Sequence, residues 1–348
     1  MTELSLEEKI EDRVNRGLLG QWYVLAKSGE VRKDKPLAVK ALGRDLVLWR
    51  DKEGAAHCLE DFCPHRGAPL SRGEVHEGNI ACRYHGVMLD AEGTIVRVPA
   101  MVNCTLEGRK AVEAYAVREA NDGVFAYFPS AQHPEPLPFV LPYEFTNGEH
   151  ASFLCASPWE CNYRYALDNL VDLMHGPYLH SDSFTLAYGA KQDLIRIDEQ
   201  KDGFAVSRVA QKGANFDWME AIMDTAAPYC RVEIPYPSAA GPGGPMRVIC
   251  FITPIDENNS RIFFWRTRKV SGIERELWRF LFRAKLEERH WFVLEQDREI
   301  LAAMPADARE RESLYQHDAG VTRLRRLMAQ KARAQIEFED ARVTEAAK

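Results

Sequence analysis

Apolar and polar positions change their period along this chain, and the changes mark its elements. The charged start "MTELSLEEKIEDRVNRG" reads as an amphipathic helix within residues 1–20. "WYVLAKSGEV", "LAVKALGRDLVLWRD" and "AAHCLED" follow as short, partly alternating apolar runs broken by Gly and charged turns, the pattern of an antiparallel sheet. "GTIVRVP" and "AVEAYAVREANDGVFAYFP" continue it, until "SAQHPEPLPFVLP" packs four prolines into a stretch that fits neither a helix nor a central strand. A domain boundary is expected there. "WECNYRYALDNLVDLMHGPYLH" then returns to helical spacing. The runs "IRIDEQKDGFAVSRVA", "YCRVEIPYP" and "PMRVICFITPIDENNSRIFFWRTRKV" predict further strands, and residues 273–345 read as helical with a break at Pro305. The expected class is α+β: an antiparallel-β domain over 21–140, then a domain over 141–348 of antiparallel sheet flanked by long helices.

Composition narrows this reading. With 46% apolar and 28% charged residues in 348, the chain fits a soluble protein of two domains. It has neither a bilayer-length apolar run nor the pattern of a secretory signal, which predicts the cytoplasm, where thiols stay reduced. The net charge of -7 disfavours nucleic acid, and the basic cluster "RLRRLMAQKARAQ" reads as a solvated helix face. Of eight cysteines, Cys63 and Cys82 alone have histidines at ligand spacing; the other six are expected to be buried small hydrophobes.

Two constellations carry chemistry. In "CPHRGAPLSRGEVHEGNIACRYHG", Cys63-x-His65 and Cys82-x-x-His85 each mix sulfur with nitrogen, whereas zinc fingers pair like ligands in each half. The mixture suits a [2Fe-2S] cluster with both thiolates on one iron and both imidazoles on the other, a structural zinc site being the alternative. Gly67 and Gly86 let backbone approach such a cluster, and Tyr84 has a hydroxyl to offer a sulfur.

The second constellation is "DNLVDLMHGPYLH". Asp172 precedes His175 by three residues on one helical face, suited to hold its free ring nitrogen. His180 would point about 140° away in an unbroken helix, so a break at Gly176-Pro177 is needed to bring both rings to one metal. Two histidines and a carboxylate make the facial triad that leaves Fe(II) open to O2. In "HWFVLEQDREIL" the acid Asp297 shares a face with His290, Leu294 and Leu301, which marks it as the candidate third ligand and His290 as packed core. Trp218, Met219, Phe251, Phe263, Trp265 and Trp291 are candidate pocket walls, and Arg231 or Arg247 a candidate carboxylate anchor.

"CPHRGAPLSRG" with "CRYHG", and the N-x2-D-x2-H-x4-H run from Asn169 to His180, resemble the two metal motifs of the Rieske non-heme iron oxygenases. The resemblance covers residues 18 to 305. It implies a Rieske [2Fe-2S] domain followed by a catalytic domain of helix-grip type. Cys63, His65, Cys82 and His85 would bind the cluster, and His175, His180 and Asp297 the mononuclear Fe(II). It also implies a head-to-tail homotrimer in which Asp172 links a Rieske histidine of one subunit, His85 by position, to an iron-ligand histidine of the next. Asn169 either lines the same site or only packs.

Val87 after Cys-x-x-His-Gly, where ring dihydroxylases usually carry Trp, and Arg83 in place of a common Pro look more like the vanillate and dicamba O-demethylase group. That group hydroxylates or O-demethylates aromatic acids or aryl ethers with O2. Its electrons come from NAD(P)H through a separate flavin and iron-sulfur reductase, in some systems with a ferredoxin. The alternatives are an aromatic-ring cis-dihydroxylating dioxygenase and a Rieske electron-transfer protein.

Overall fold

The computed structural model describes residues 4–183, 186–187, 189–211, 213, 215–236, 243–305 and 307–346. Helix α1 (Leu6–Arg16) starts at Ser5, whose hydroxyl accepts from the Glu8 N–H while the Glu8 carboxylate accepts from the Ser5 N–H. Ile10 and Val14 form its buried stripe.

The chain divides into two compact units. The first comprises 19–139 with 253–256. Its strands are β1 (Gln21–Lys27), β2 (Leu37–Ala41), β3 (Arg44–Arg50), β4 (Ala56–Glu60), β5 (Glu74–His76), β6 (Asn79–Ala81), β7 (Met88–Leu89), β8 (Ile95–Arg97), β9 (Ala114–Tyr115), β10 (Val117–Ala120) and β11 (Gly123–Phe128). They pair as three small sheets, β1-β11-β10, β2-β3-β4-β9 and β5-β6-β7-β8. The run "LVLW" in β3 is continuously apolar because the strand lies between two cores. Side chains alternate along a strand, so Leu46 and Leu48 join Tyr23 and Phe128, while Val47 and Trp49 join Leu59, Ile80, Cys63 and Cys82.

The second unit comprises 1–18, 140–252 and 257–348. In order it holds α2 (Tyr143–Thr146), β12 (His150–Trp159), α3 (Tyr163–Val171), α4 (Gly176–Leu179), β13 (Ile195–Gln200), β14 (Gly203–Arg208), β15 (Trp218–Ile222), β16 (Tyr229–Ile234), β17 (Met246–Pro254) and β18 (Ser260–Lys269). Helices α5 (Gly272–Leu281), α6 (Glu287–Ala302), α7 (Ala308–Arg311) and α8 (Ala319–Ala346) follow, with a π-helical turn, Phe282–Leu286, joining α5 to α6. The sheet order is β12-β18-β17-β16-β15-β14-β13, so β13 to β18 form a meander and β12 pairs at the far edge. The chain must therefore cross from one sheet edge to the other between 160 and 194, and α3, which packs on β15 and β16, lies on that crossing. The α+β class and the sheet-with-helices arrangement of the second domain are as expected. Strands β12 and β15 were not foreseen, because "HASFLCASPW" and "WMEAI" lack clean alternation.

The basic C-terminal cluster lies on α8 beside a buried apolar stripe, Val321, Leu324, Met328, Ala332 and Ile336, and its part-exposed cations pair with carboxylates: Arg323 with Glu199, Arg325 with Asp168 and Glu312, Lys331 with Asp224 and Arg333 with Glu7. Among the described residues, no helix is long and apolar enough to cross a membrane.

Candidate metal centres

Two loops of the first unit share one backbone design. The Cys63 N–H donates to the Ala68 carbonyl and the Gly67 N–H to the Cys63 carbonyl; the Cys82 N–H donates to Val87 and the Gly86 N–H to Cys82. Each loop closes on a glycine in the left-handed region, Gly67 at φ +77° and Gly86 at φ +72°. A Cβ there would also meet the Phe62 ring or Pro99 Cγ at 2.9 Å. The loops bring His65 Nδ1 within 3.2 Å of His85 Nδ1, while Cys63 and Cys82 lie buried at 2% exposure beneath. Burial first, and the neighbouring Cys82, push the Cys63 thiol up to about 11. Tyr84 is 58% exposed with its ring 3.9 Å from that of His85. A tetrahedral zinc ion would hold its donors within about 4 Å of one another. Among the described residues these four form no such group, which favours the larger cluster over zinc.

In the second unit, His175, His180 and Asp297 do form one, with donor atoms all within 4.8 Å. Asp297 Oδ1 lies 3.6 Å from His175 Nε2 and 3.3 Å from His180 Nε2 and hydrogen-bonds to neither ring. Three donors around one metal at about 2.1 Å would sit roughly 3 Å apart, so a buried carboxylate oxygen that bonds to nothing fits an absent cation. The outer ring nitrogens face away from this point: His180 Nδ1 is 2.9 Å from Gln296 Oε1, and His175 Nδ1 is 3.5 Å from Asp172 Oδ2. Burial opposes charge on Asp172, but the His175 ring and the Met174 N–H outweigh it and hold the carboxyl below its ordinary range.

Asp172 does not share a helical face with His175. Helix α3 ends at Val171; Asp172 is extended at φ -93°, ψ 113°, and its Oδ1 accepts from the Met174 N–H at 2.7 Å. This side-chain turn reverses the chain before His175. Pro177 sits in the first turn of α4, where its missing N–H costs nothing, and so starts that helix instead of breaking a longer one. Sequence reading missed Gln296, which gives no periodic signal one residue before Asp297, about 100° round the helix. It also missed Phe216, whose ring lies 5.1 Å from that of His175.

A cavity of about 80 Å³ adjoins the three side chains. Val232, Ile234, Val248, Cys250 and Phe264 form its sheet wall and Leu294 its α6 wall; Asn169 lines it too. None of the six foreseen pocket residues does. Alternation turns Phe251, Phe263 and Trp265 to the other side of the sheet, where Phe251 meets Trp265, and Met219 belongs to the core. The same parity removes the two candidate anchors: Arg231 is paired with Glu144 and Glu220, and Arg247 with Glu144 and Glu233. Cys104 is half-buried, unlike the other five non-motif cysteines, which are buried.

The fold and the two clusters describe the class of two-domain Rieske oxygenases. Residues 21–116 match the Rieske [2Fe-2S] domain and residues 159–334 the vanillate O-demethylase oxygenase C-terminal domain. The chain belongs to this family of Rieske oxygenases, whose cofactors are a [2Fe-2S] cluster and a mononuclear iron. It is 34% identical to the vanillate O-demethylase oxygenase subunit of Pseudomonas sp. (strain HR199 / DSM 7063) over 47% of this chain and 45% of that subunit, so the match spans under half of the relative. The terminal oxygenase of carbazole 1,9a-dioxygenase from Novosphingobium sp. KA1 shares the fold at a TM-score of 0.74 and 23% identity, over 92% of this chain and 95% of that one. Dicamba monooxygenase bound to dicamba does so at 0.70 and 20%, over 93% and 99%.

Proposed function

We propose that this chain is the terminal oxygenase component of a multicomponent system that hydroxylates or O-demethylates an aromatic substrate with O2. Its electrons would come from NAD(P)H through a separate flavin and iron-sulfur reductase, directly or by way of a ferredoxin. The reading rests on the partnerless Asp297 Oδ1 lying between His175 Nε2 and His180 Nε2 on the wall of an apolar cavity. In it, Cys63, His65, Cys82 and His85 hold the cluster within a domain over 21–140, and His175, His180 and Asp297 hold the iron within a catalytic domain over 141–348. When bound, the cluster supplies electrons and the iron supplies O2 chemistry.

The chain's own part is positioning. Gln296 Oε1 receives the Nδ1 proton of His180 and fixes the tautomer that leaves Nε2 free; Asp172 Oδ2, 3.5 Å from His175 Nδ1, acts on that ring by its charge. Phe216 packs against both rings, and the aliphatic wall keeps water from the open side. Asn169 is the polar handle of that wall.

A head-to-tail trimer accounts for two exposures. The Asp172 side chain remains 28% exposed, and His65 and His85 meet near the surface, so each end of an Asp172-to-His85 bridge is open to a neighbouring copy. Free cysteines throughout the described chain agree with a cytoplasmic setting. Turnover under 18O2 with an added reductase, over a panel of aryl methyl ethers, tests the reading. One labelled oxygen in the product, or formaldehyde release, is expected; a doubly labelled cis-diol would replace demethylation with ring dihydroxylation, and no oxygen incorporation would sink the proposal.

A further inference from the structure

Among the described residues outside the metal centres, the least compensated buried charge is Arg266. It follows Phe264 by two residues on β18, so it shares the sheet face on which Phe264 lines the cavity. Its exposure is 2%, and no carboxylate among the described residues stands within ion-pair distance. One terminal nitrogen donates to Cys155 Sγ at 2.8 Å; the other, Nη2, has no partner. The guanidinium instead faces two rings, Phe282 at 5.7 Å and Trp291 at 5.5 Å.

Two more buried nitrogens without partners gather around Phe282. Trp278 Nε1 belongs to a ring 5.8 Å from it, and His290 Nδ1 to a ring 5.5 Å from it. Burial first, and then the Arg266 charge, push His290 down to about 3, so this imidazole is neutral and competes for no anion. Its Nε2 lies 3.4 Å from the Tyr236 hydroxyl. A cation with unpaired polar nitrogens about it is a costly arrangement to bury unless something brings an anion. Along α6, His290 stands two turns before Asp297, a rise of about 10 Å. That is the reach of one substituted benzene ring.

We propose that Arg266, flanked by Trp278 and His290, is an anion subsite that receives the carboxylate of the substrate while the opposite end of its ring lies at His175, His180 and Asp297. The placing of that second end rests on the oxygenase reading; the subsite itself does not. It makes Arg266 a specificity residue for planar aromatic carboxylates, the role that Arg231 and Arg247 are too well paired to fill.

The test is calorimetric binding of 4-methoxybenzoate and its neutral isostere 4-methoxybenzamide to the metal-loaded full chain at neutral pH. The wild type is expected to prefer the benzoate by about ten-fold or more. Arg266→Met is expected to erase the preference and leave amide affinity within about two-fold. Equal affinities in the wild type, no binding of either, or a preference that survives R266M would overturn the proposal. If R266M does not unfold cooperatively, Arg266→Lys decides: it keeps the charge but loses the planar fork, so a reduced preference supports the subsite and an unchanged one refutes it. Binding needs neither electrons nor O2. A chain that selects the benzoate through Arg266 but oxidises nothing therefore keeps the subsite and loses the oxygenase reading, and turnover without selection does the reverse.

Discussion

Replacing Gln296 by Leu probes whether the second histidine is held for metal binding. His180 is 1% exposed and its Nδ1 finds Gln296 Oε1 at 2.9 Å, so the substitution removes the acceptor without letting water in. A buried N–H left unpaired costs about 1–3 kcal/mol. The alternative tautomer relieves that cost by moving the proton to Nε2, the nitrogen that faces Asp297. Either way the metal pays for restoring the right form, so its affinity should fall about 10- to 100-fold. The assay is competition for iron against a chelator of known affinity, with the [2Fe-2S] absorption as an internal control in the same sample. Gln296→Glu restores an acceptor and should recover most of the affinity. Unchanged iron affinity in Gln296→Leu, with the protein folded, would refute the argument that this amide fixes the ring.

Asp297→Ala should lose about one iron per chain and keep the cluster spectrum, since the two sites are built from different segments; metal analysis with absorption spectroscopy reads both. Asp172→Asn should retain both metal centres yet nearly abolish turnover, and unchanged turnover would remove the bridging role. Gly86→Ala forces a Cβ to within 2.9 Å of Pro99 Cγ at φ +72°, and should bleach the cluster absorption while the mononuclear site still binds iron. Hydrogen bonding from Arg50 holds the Glu119 carboxyl below its ordinary value, so its contribution to stability is present above the unfolded carboxylate pKa and is lost as pH falls through the folded one. The Tm difference between the wild type and Glu119→Gln should thus be largest near neutral pH and close in acid; a pH-independent difference would contradict this.

What could be read in advance depended on distance along the chain. Cys63 to His85 is a local motif: its four donors sit on two adjoining loops whose glycines are required by backbone geometry, so spacing alone carried the chemistry. The inward placing of Asp297 was legible because an acid on the apolar face of a long helix is conspicuous, and His290, Asp297 and Leu301 of that face are buried. The neighbours of these groups were not. Gln296, Phe216 and Arg266 carry no periodic mark, and the aromatic residues chosen as cavity walls failed because strand parity, which decides the face, depends on a register set by pairing partners. The break after Val171 was misplaced because a side-chain turn at Asp172 competes with the helix at a cost that composition does not display.

The sequence by itself determined the class of fold, the ligand types and the two metal motifs, because ligand identity and short spacing are chemical properties of the chain. Tertiary structure alone decided that residues 117 positions apart, His180 and Asp297, come within 3.3 Å, and which cations are spent on neighbouring carboxylates while Arg266 is not. The physical reason is the crossing from β12 to β13: it lays the histidines over the sheet face that α6 also covers, and no local pattern encodes a meeting between segments so far apart.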